Sequence, residues 1–399
     1  MSPAAGSSSP EGHPLAHAQL RVALLAGTLG QGGAEKQLVY MTRALRQANV
    51  AARIYSLTRD EFYEPALRSL DVEPIWIGRH ASPLLRLGAF VRSLRAYKPH
   101  IVQSGHFFAN LYVALAAPLV RAVSIGTIRS DVTYDMEMNP WWAPWSLRLP
   151  ASIMTNSYAA GNGLKRLAVP EARCHVVPNV IDLVDFDARA CEAPPVLPRE
   201  GPCVIAVGTL SRVKRLDRFL DAVSLARASM PNLRAMIIGD GPERSRLETA
   251  ARERGLLPDG VQFLGRRPDV PVFLRQAAVL LLTSEHEGCP NVVLEAMAAR
   301  LPVVTTAVGD AGRVVQDGVT GYVVSCDDVR GMAERVLQFA KSSLLRQRFG
   351  DAGRLRVEQT YSYAGLARRL LATYRTIAEQ QRNRPALEAC LSNGLPAAS

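Results

Sequence analysis

The chain has 399 residues, 48% of them hydrophobic, and a formal net charge of +11 at pH 7. This length predicts two or three domains, and the apolar content is enough for two cores. Six cysteines without a C-x-x-C pair predict neither a structural zinc site nor a disulfide framework. The basic residues are spread along the chain without a helix-turn-helix, zinc-finger or aromatic RNA-binding string, so no nucleic-acid partner is expected.

The chain begins with a stretch rich in Ser, Pro, Gly and Ala, which predicts a disordered tail over residues 1–19 rather than a signal peptide or a membrane helix. Leu20–Ala26 then has the apolar pattern of a buried strand, and Ala34–Ala48 has a helical period. The glycines between them fit neither G-x-G-x-x-G nor a Walker motif, which disfavours a dinucleotide site. They favour a backbone that approaches an anion closely, and a plain tight turn is the alternative.

Strands and helices continue to alternate through the first half, which predicts a parallel sheet. After the strand that opens at Ile101, the string Q-S-G-H-F-F contains His106. This histidine fits a catalytic role and a packed position at a cleft edge equally well. The proline-rich, unpatterned segment Glu192–Pro202 predicts an interdomain linker, with the boundary region over residues 187–202.

The second half restarts the pattern at Cys203–Val207, a strand that ends in Gly208 and is followed by Arg212 and Lys214. Such a loop faces anions in parallel α/β folds. Cations at a helix start oppose the helix dipole unless an anion is present, which argues against two merely solvated charges. Arginine would supply a bidentate contact, and lysine would supply a compact point charge.

The most informative stretch is S-E-H-E-G-C-P-N-V-V-L-E-A-M-A, which occupies residues 284–298. The apolar run Ala278–Thr283 precedes it as a buried strand, and a helix is predicted to begin at about Pro290. Phosphate groups bind at the N–H groups of such a helix start. The carboxylates of Glu287 and Glu295 match pairs of vicinal sugar hydroxyls. Two surface glutamates beside a core helix are the alternative.

The string E-G-C-P-N-V-V-L-E-A-M-A followed by P-V-V resembles the two-glutamate signature of the retaining glycosyltransferases of family 4. The resemblance extends over roughly residues 20 to 378. It implies an α/β protein of GT-B architecture, in which two facing Rossmann-like domains with parallel sheets hold a nucleotide-sugar between them. The predicted segments are an N-terminal acceptor-side domain (20–186), a C-terminal nucleotide-sugar-binding domain (203–358), a crossover helix back to the first domain (359–379) and a loose tail (380–399).

The resemblance also implies roles for single residues. Glu295 would hold the nucleoside ribose and Glu287 the donor sugar, while Lys214 and Arg212 would stabilise the leaving diphosphate. A histidine of this family stands near the sugar and the acceptor, although its usual position aligns with Gly105. The predicted catalytic residues are Lys214, Arg212, Glu287 and His106. The predicted donor-binding residues are Gly32, Gly33, Gly208, Gly239, Arg266, Gly288, Cys289, Asn291, Val292 and Glu295.

Three positions depart from the family pattern, because Thr209, Arg300 and Arg313 stand where Arg, Gly and Glu are common. The leading interpretation is a metal-independent transferase that moves a hexose from a UDP- or GDP-sugar to a glycan or lipid-linked acceptor in polysaccharide or glycolipid biosynthesis. No cofactor is expected, since the nucleotide-sugar is a substrate. A catalytically inactive nucleotide-sugar-binding subunit and a glycoside hydrolase are the alternatives. The string Asp185-Phe186-Asp187 matches a metal-binding D-x-D, but its place at a domain exit indicates coincidence.

The first half is also unusually basic over one stretch. Between Glu73 and Asp131 there is no acidic residue, while seven positions are basic, namely Arg79, Arg86, Arg92, Arg95, Lys98, Arg121 and Arg129. Many relatives of the resembled family take lipid-linked acceptors at the cytosolic membrane face. Three nearby tryptophans, Trp141, Trp142 and Trp145, suit such an interface. The sequence therefore predicts a cytoplasmic protein with reversible contact to the inner face of an anionic membrane, and a solvated basic face over core tryptophans is the alternative.

Overall fold

The computed structural model describes residues 19–191 and 201–393. Over these residues the chain forms one parallel sheet of seven strands and one of six, with helices packed against them. The predicted tail before residue 19 and the predicted linker over 192–200 lie outside the described residues. The α/β architecture with two parallel sheets is confirmed.

The first sheet is built from the N-terminal half of the chain. Its strands are Arg21–Ala26 (β1), Ala51–Ser56 (β2), Ile75–Trp76 (β3), Ile101–Ser104 (β4), Val123–Ile128 (β5), Ser152–Thr155 (β6) and Cys174–Val176 (β7). The helices of this half are Gly33–Gln47 (α1), Glu64–Arg68 (α2), Pro83–Tyr97 (α3), Asn110–Ala116 (α4), Val132–Met138 (α5), Ala143–Arg148 (α6), Tyr158–Arg166 (α7) and Leu183–Ala190 (α8). The strands lie in the order β3-β2-β1-β4-β5-β6-β7.

The second sheet follows from Cys203 onward. Its strands are Cys203–Val207 (β8), Arg234–Ile238 (β9), Val261–Gly265 (β10), Val279–Leu282 (β11), Val303–Thr306 (β12) and Gly321–Val324 (β13). The helices are Leu216–Ser229 (α9), Arg244–Glu253 (α10), Val270–Gln276 (α11), Asn291–Ala298 (α12), Ala311–Val314 (α13), Val329–Lys341 (α14), Ser343–Arg356 (α15), Leu366–Gln380 (α16) and Arg384–Ser392 (α17). The order is β10-β9-β8-β11-β12-β13.

In each sheet the order in which successive strands are added reverses once, and these two reversals set the position of the site. In the first sheet the order reverses between β1 and β4, and in the second it reverses between β8 and β11. A crevice opens at the carboxyl ends of the strands on either side of such a reversal. The glycine loop, His106, Lys214 and Glu287 follow β1, β4, β8 and β11 respectively. The sequence motifs therefore occupy the two crevices.

Helix α8 belongs to the second domain by its packing, which corrects the predicted boundary. The Asp182 carboxylate accepts from the N–H groups of Val184 and Asp185 and so starts the helix. Phe186 and Ala190, one turn apart, are buried in the core formed with α11 and α12. The prediction of a linker from residue 187 is therefore wrong for 187–190, because these residues belong to a helix whose apolar face packs in the core of the second domain.

The end of the chain returns to the first domain. Leu370, Tyr374 and Ile377 of α16 are buried in the first core, and the Tyr374 hydroxyl donates to Gln103 Oε1 at 2.7 Å. The predicted loose tail after residue 379 is wrong for α17, whose Ala389 and Cys390 are fully buried. This helix forms because the Asn383 side chain caps it and its small apolar residues recur on one face.

The two segments that cross between the domains are joined to each other. The Ile181 N–H donates to the Tyr361 carbonyl at 2.9 Å, and the Tyr363 N–H donates to the Ile181 carbonyl at 2.9 Å. Ile181 and Ser362 form an isolated parallel bridge. The outgoing and returning connections thus meet as one paired strip at the junction of the domains.

Candidate active site

The glycine loop after β1 is fixed by Glu61, a residue that the sequence did not single out. Its carboxylate accepts from the Leu29 N–H, from the Thr58 hydroxyl and, at 2.9 Å, from the Thr28 hydroxyl. Burial alone would raise the pKa of Glu61, but these hydrogen bonds outweigh it and lower the pKa below its ordinary value. The loop is therefore held by an ionised carboxylate from the β2–α2 connection.

His106 ties the same loop to the first helix. The Gly27 N–H donates to Nδ1 at 3.0 Å, so the ring proton is on Nε2, which lies 3.1 Å from Glu35 Oε1. The ring is buried and stacks on Phe108 at a centroid distance of 5.4 Å. Both ring nitrogens of His106 are therefore occupied by contacts within the protein. The geometry gives His106 an anchoring role, and its catalytic role stays a prediction.

Gly32 lies against that anchor. A Cβ at Gly32 would lie 2.2 Å from Glu35 Oε2, so a larger residue there would require the carboxylate that His106 contacts to shift. Glu35 is itself 7% exposed and sits in the first turn of α1. The glycine that the sequence assigned to an anion contact thus has a structural task as well.

In the second domain, Lys214 and Glu287 are brought together. Lys214 Nζ donates to Glu287 Oε1 at 2.6 Å, and the Ser284 hydroxyl donates to the same oxygen at 2.7 Å. The Lys214 carbonyl accepts from the Thr283 hydroxyl at 3.0 Å, which fastens the lysine turn to the end of β11. The Lys214 side chain also lies beside Gly208. Two loops that are distant in the sequence therefore form one charged cluster.

The predicted partner Arg212 is not part of this cluster. Its side chain is 90% exposed and its closest carboxylate is Glu243, at 3.5 Å. The side chain of Arg266 is likewise exposed. Arg212 therefore has freedom to turn toward a ligand, whereas Lys214 is already oriented.

Gly208 and Gly239 line the floor of the second crevice. Their φ angles are +154° and +139°, in the region that favours glycine. A Cβ at Gly239 would lie 1.9 Å from the Gly208 carbonyl oxygen, and the Gly239 N–H donates to the Gly265 carbonyl at 2.8 Å. The strand ends of β8, β9 and β10 are thus packed backbone to backbone, leaving no room for side chains.

The first turns of α1 and α12 lie side by side across the cleft. Gln37 Nε2 donates to Asn291 Oδ1 at 3.0 Å, and a Cβ at Gly33 would lie 2.3 Å from Asn291 Nδ2. Lys36 Nζ donates to Glu295 Oε1 at 2.7 Å. Burial opposes the charge on Lys36, but the Glu295 carboxylate outweighs it and raises the pKa of the lysine. Lys36 is a site residue that the sequence analysis missed.

The loop between Glu287 and Glu295 is pressed against the first domain. A Cβ at Gly288 would lie 2.6 Å from Asn156 Oδ1 and 2.7 Å from the Arg129 carbonyl oxygen. The Cys289 carbonyl accepts from Asn179 Nδ2 at 2.7 Å. Burial raises the pKa of the Cys289 thiol to about 12, so the thiol is neutral at pH 7 and makes no nucleophile. Val292, one residue into the helix, is half-buried.

The guanidinium of Arg129 lies behind this loop, and no carboxylate of the described residues forms an ion pair with it. Its Nη2 donates to Met41 Sδ at 3.0 Å, its contact with Asn179 Oδ1 is long at 3.4 Å, and its Nε has no hydrogen-bond partner among the described residues. Burial lowers the pKa of Arg129 to about 10, which still leaves it charged at neutral pH. The cleft wall is therefore electropositive at this point.

Two departures from the family pattern have structural explanations. Arg300 adopts φ +57°, a left-handed conformation that glycine takes more easily, and its side chain pairs with Asp351. The exit of α12 is therefore kept, at a local cost. Arg313 stacks over the Tyr158 ring at 3.9 Å and so joins the two domains. Thr209 is exposed.

The D-x-D string pairs with arginines. Asp187 accepts from both terminal nitrogens of Arg354 at 2.7 Å, and Asp185 lies 3.8 Å from Arg189. Within residues 19–191 and 201–393, no three His, Cys, Asp or Glu side chains lie close enough to hold a metal ion together. Ion pairing therefore explains these aspartates.

Family models match both halves of the chain. The model described as Glycosyltransferase Family 4 matches residues 31–185, and the model described as Glycosyl transferases group 1 matches residues 191–356. The chain belongs to the family 4 glycosyltransferases of the GT-B fold. The resemblance drawn from the two-glutamate signature is confirmed.

Curated relatives of this family 4 glycosyltransferase match over part of their length. N-acetyl-alpha-D-glucosaminyl L-malate synthase of Bacillus anthracis is 29% identical over 174 residues, which is 44% of this chain and 44% of that protein. The lipopolysaccharide core biosynthesis glycosyltransferase LpsE of Rhizobium meliloti is 31% identical over 156 residues, 39% of this chain and 44% of that protein. The matched stretches thus span less than half of either relative.

Solved structures match the family 4 glycosyltransferase over nearly its whole length. Anabaena HepE in complex with UDP and glucose has a TM-score of 0.76 at 18% identity, and the match covers 89% of this chain and 99% of that one. Sucrose-phosphate synthase of Thermosynechococcus elongatus has a TM-score of 0.73 at 19% identity, covering 91% and 100%. At these identities the likeness establishes the shared GT-B fold.

Proposed function

We propose that this family 4 glycosyltransferase transfers a hexose-type sugar, with retention at the anomeric carbon, from a UDP- or GDP-sugar to a glycan or lipid-linked acceptor in polysaccharide or glycolipid biosynthesis. The observation that supports the proposal is the Lys214–Glu287 cluster, in which a cation and a carboxylate lie 2.6 Å apart at the mouth of the second crevice. A cation beside a sugar-hydroxyl acceptor suits the junction between a diphosphate and its sugar. The solved complex of Anabaena HepE with UDP and glucose supports the same class of donor.

Each residue then has one task in the transfer. The bond from the anomeric carbon to the diphosphate breaks, and its electrons pass to the diphosphate. The acceptor hydroxyl forms the new glycosidic bond on the same face, and its proton passes to the oxygen of the leaving diphosphate. Lys214 and the first-turn N–H groups of α12 stabilise the charge that develops on the diphosphate. Glu287 holds the sugar hydroxyls, and Glu295 holds the ribose. Arg212 turns in from its exposed position when the diphosphate arrives. We propose no metal ion or cofactor for this step.

The donor assignment is tested on Glu295. Glu295→Ala should weaken binding of the nucleoside diphosphate by about 1.5 to 3 kcal/mol, the usual worth of hydrogen bonds to a charged group. Isothermal titration calorimetry with UDP and with GDP measures this loss. Glu334→Ala, an exposed glutamate on α14, is the matched control and should bind like the unmodified protein. Unchanged affinity of Glu295→Ala for both nucleotides would contradict the assignment.

Two other functions are separated by activity. A catalytically inactive subunit would bind a nucleotide-sugar without transferring the sugar to any acceptor or to water. A glycoside hydrolase would release sugar from a simple aryl glycoside without a nucleotide. Nucleotide-dependent release or transfer of sugar, absent with the aryl glycoside, supports the transferase.

We also propose that the protein is cytoplasmic and contacts the inner face of an anionic membrane through its first domain. Around the α5–α6 connection, Trp141 is 90% and Trp145 57% exposed, so the alternative that all three tryptophans lie in the core is wrong for these two. On α3, Arg92 and Arg95 are exposed, and Leu84, two to three turns earlier on the same helix, is 78% exposed. Aromatic and basic side chains together favour a lipid headgroup region. Among the described residues, no helix is both long and apolar enough to span a bilayer.

Sedimentation with liposomes tests this contact. Binding to vesicles containing anionic lipid should be strong at low salt and weak at high salt. Changing Arg86, Arg92 and Arg95 together to Glu should abolish it. Binding that is absent, insensitive to salt or unaffected by the three substitutions would rule out the membrane contact.

A further inference from the structure

Glu295 is already engaged before any donor arrives. The ammonium of Lys36 occupies its Oε1 at 2.7 Å, and the two side chains are 19% and 17% exposed, so the pair lies largely out of water. The partners come from different domains, 259 positions apart in the sequence. A ribose that binds the same carboxylate must therefore displace or share this ammonium.

Displacement alone would leave the Lys36 ammonium without a carboxylate partner in a place that is largely shielded from water. Breaking such a pair by removing one partner is unfavourable, because the remaining charge keeps its desolvation cost. A nucleoside is uncharged and cannot compensate it. A nucleoside diphosphate carries its own negative charge and can.

The location of Lys36 allows that compensation. It lies in the first turn of α1, three residues after Gly33, and Gly33 is in contact with Asn291 at the start of α12. The N-termini of two helices thus lie side by side, and both attract anions. A lysine stem spans about one helical turn, ~5.4 Å, so the Lys36 ammonium can move from Glu295 to an anion at these N-termini.

We propose that Lys36 is an exchange residue of the donor site: it pairs with Glu295 and moves to the diphosphate when the ribose takes its place at this carboxylate. The proposal rests on the assignment of Glu295 to the ribose and of the cleft to a nucleotide donor. The exchange makes the site select nucleoside diphosphates over nucleosides. Binding of the ribose alone is penalised, and binding of the diphosphate is rewarded by the same side chain.

The experiment compares uridine with UDP, and guanosine with GDP, by calorimetry on the full chain. Lys36→Met should bind the nucleoside at least threefold more tightly, since Glu295 is free, and the diphosphate at least tenfold more weakly, since its cation is lost. Lys36→Arg keeps the charge and should behave like the unmodified protein. Lys165→Met is the matched control, because Lys165 forms a 2.6 Å pair with Glu171 on the surface of the same domain.

Opposite signs for nucleoside and diphosphate support the exchange. Two changes of the same sign, or no change, overturn it. Tighter binding of both ligands would mean that Lys36 only blocks Glu295, and weaker binding of both would mean that it only positions Glu295. If Glu295→Ala leaves UDP and GDP binding unchanged, the donor assignment itself fails and the exchange falls with it. If only the sign test fails, the donor assignment stands.

Discussion

Lys214 and Glu287 neutralise each other's charge, and a diphosphate would draw the ammonium into a second contact. Because negative charge on the leaving diphosphate grows toward the transition state, Lys214 should contribute more there than in the bound ground state. We expect Lys214→Met to lower kcat by about 100- to 1000-fold, the usual cost of one preorganised donor, with a much smaller change in KM. Steady-state kinetics of sugar transfer measures both constants.

The control for this prediction is Lys341→Met, which removes an exposed lysine at the end of α14. Lys214→Arg keeps a cation near Glu287 and should recover part of kcat. A variant Lys214→Met with normal turnover at saturating donor would show that the lysine acts on binding alone.

Among single residues, the sequence identified those whose chemistry a local motif reveals, and it missed the residues that pair with them in the folded protein. The two glutamates and Lys214 stand in local strings whose spacing is meaningful by itself. Lys36 and Glu61 gain their roles from contacts made across folded loops, so no local spacing records them. His106 was found, but the hydrogen bonds that occupy both its nitrogens could be learned only from the fold.

A titratable side chain, His100, lies where β1 pairs with β4. His100 is 8% exposed. Its ring Nδ1 accepts from the backbone N–H of Arg21 at 3.1 Å, and its backbone N–H donates to the Arg21 carbonyl at 2.9 Å. Burial and then the charge of Arg21 lower the pKa of His100 to about 4. The unfolded chain has the ordinary value of about 6.5 and therefore binds the proton first as the pH falls.

The contribution of His100 to the free energy of unfolding should consequently be present above pH 6.5 and be lost progressively between pH 6.5 and 4. From these two pKa values the loss at pH 5 is on the order of 2 kcal/mol. Urea denaturation at pH 7 and pH 5 measures it, and His100→Asn should reduce the difference between the two pH values. His80→Asn, which changes a histidine outside the core, should leave the difference as it is. An unchanged pH dependence in His100→Asn would contradict this account.

Elements were predictable where an apolar strand and a helical period alternate, and this covers most of both sheets. The predicted helix start at Pro290 is one residue from the observed α12. The second half of α8 was assigned to a linker and α17 to a tail, because each helix is short and its apolar face has a partner only in a core contributed by distant residues. The predicted domain boundary was placed near the proline-rich segment, although the chain crosses to the second domain earlier, at about Ile181.

At the scale of the whole molecule, Asp310 is one of the residues that join the two domains. This residue of the second domain is 5% exposed, and its two carboxylate oxygens accept from the Tyr158 and Ala159 N–H groups at 2.8 and 2.9 Å. Those groups begin α7 of the first domain, so the carboxylate caps a helix across the cleft. The Asp310 N–H also donates to the Gly288 carbonyl at 2.8 Å, which links the cap to the donor loop.

Asp310→Ala should shift the donor-free protein toward an open arrangement. Loss of a cap is worth about 1 kcal/mol, which changes the proportion of closed molecules several-fold. Small-angle X-ray scattering should give a larger radius of gyration for the variant, and UDP or GDP should reduce it. Asp328→Ala is the matched control, since Asp328 caps α14 within its own domain. A radius of gyration equal to that of the unmodified protein would contradict the role of Asp310 in closure.

The return of α16 and α17 to the first domain also has a consequence for synthesis on the ribosome. Leu370, Tyr374 and Ile377 complete the N-terminal core, yet they leave the exit tunnel only after the entire second domain has been made. Domains generally fold in the order in which they emerge, so the nascent first domain must wait with apolar surface uncovered while the second one folds. We expect this interval, rather than the finished protein, to be the stage at which chaperones are needed, and truncation before Leu366 to leave an aggregation-prone chain.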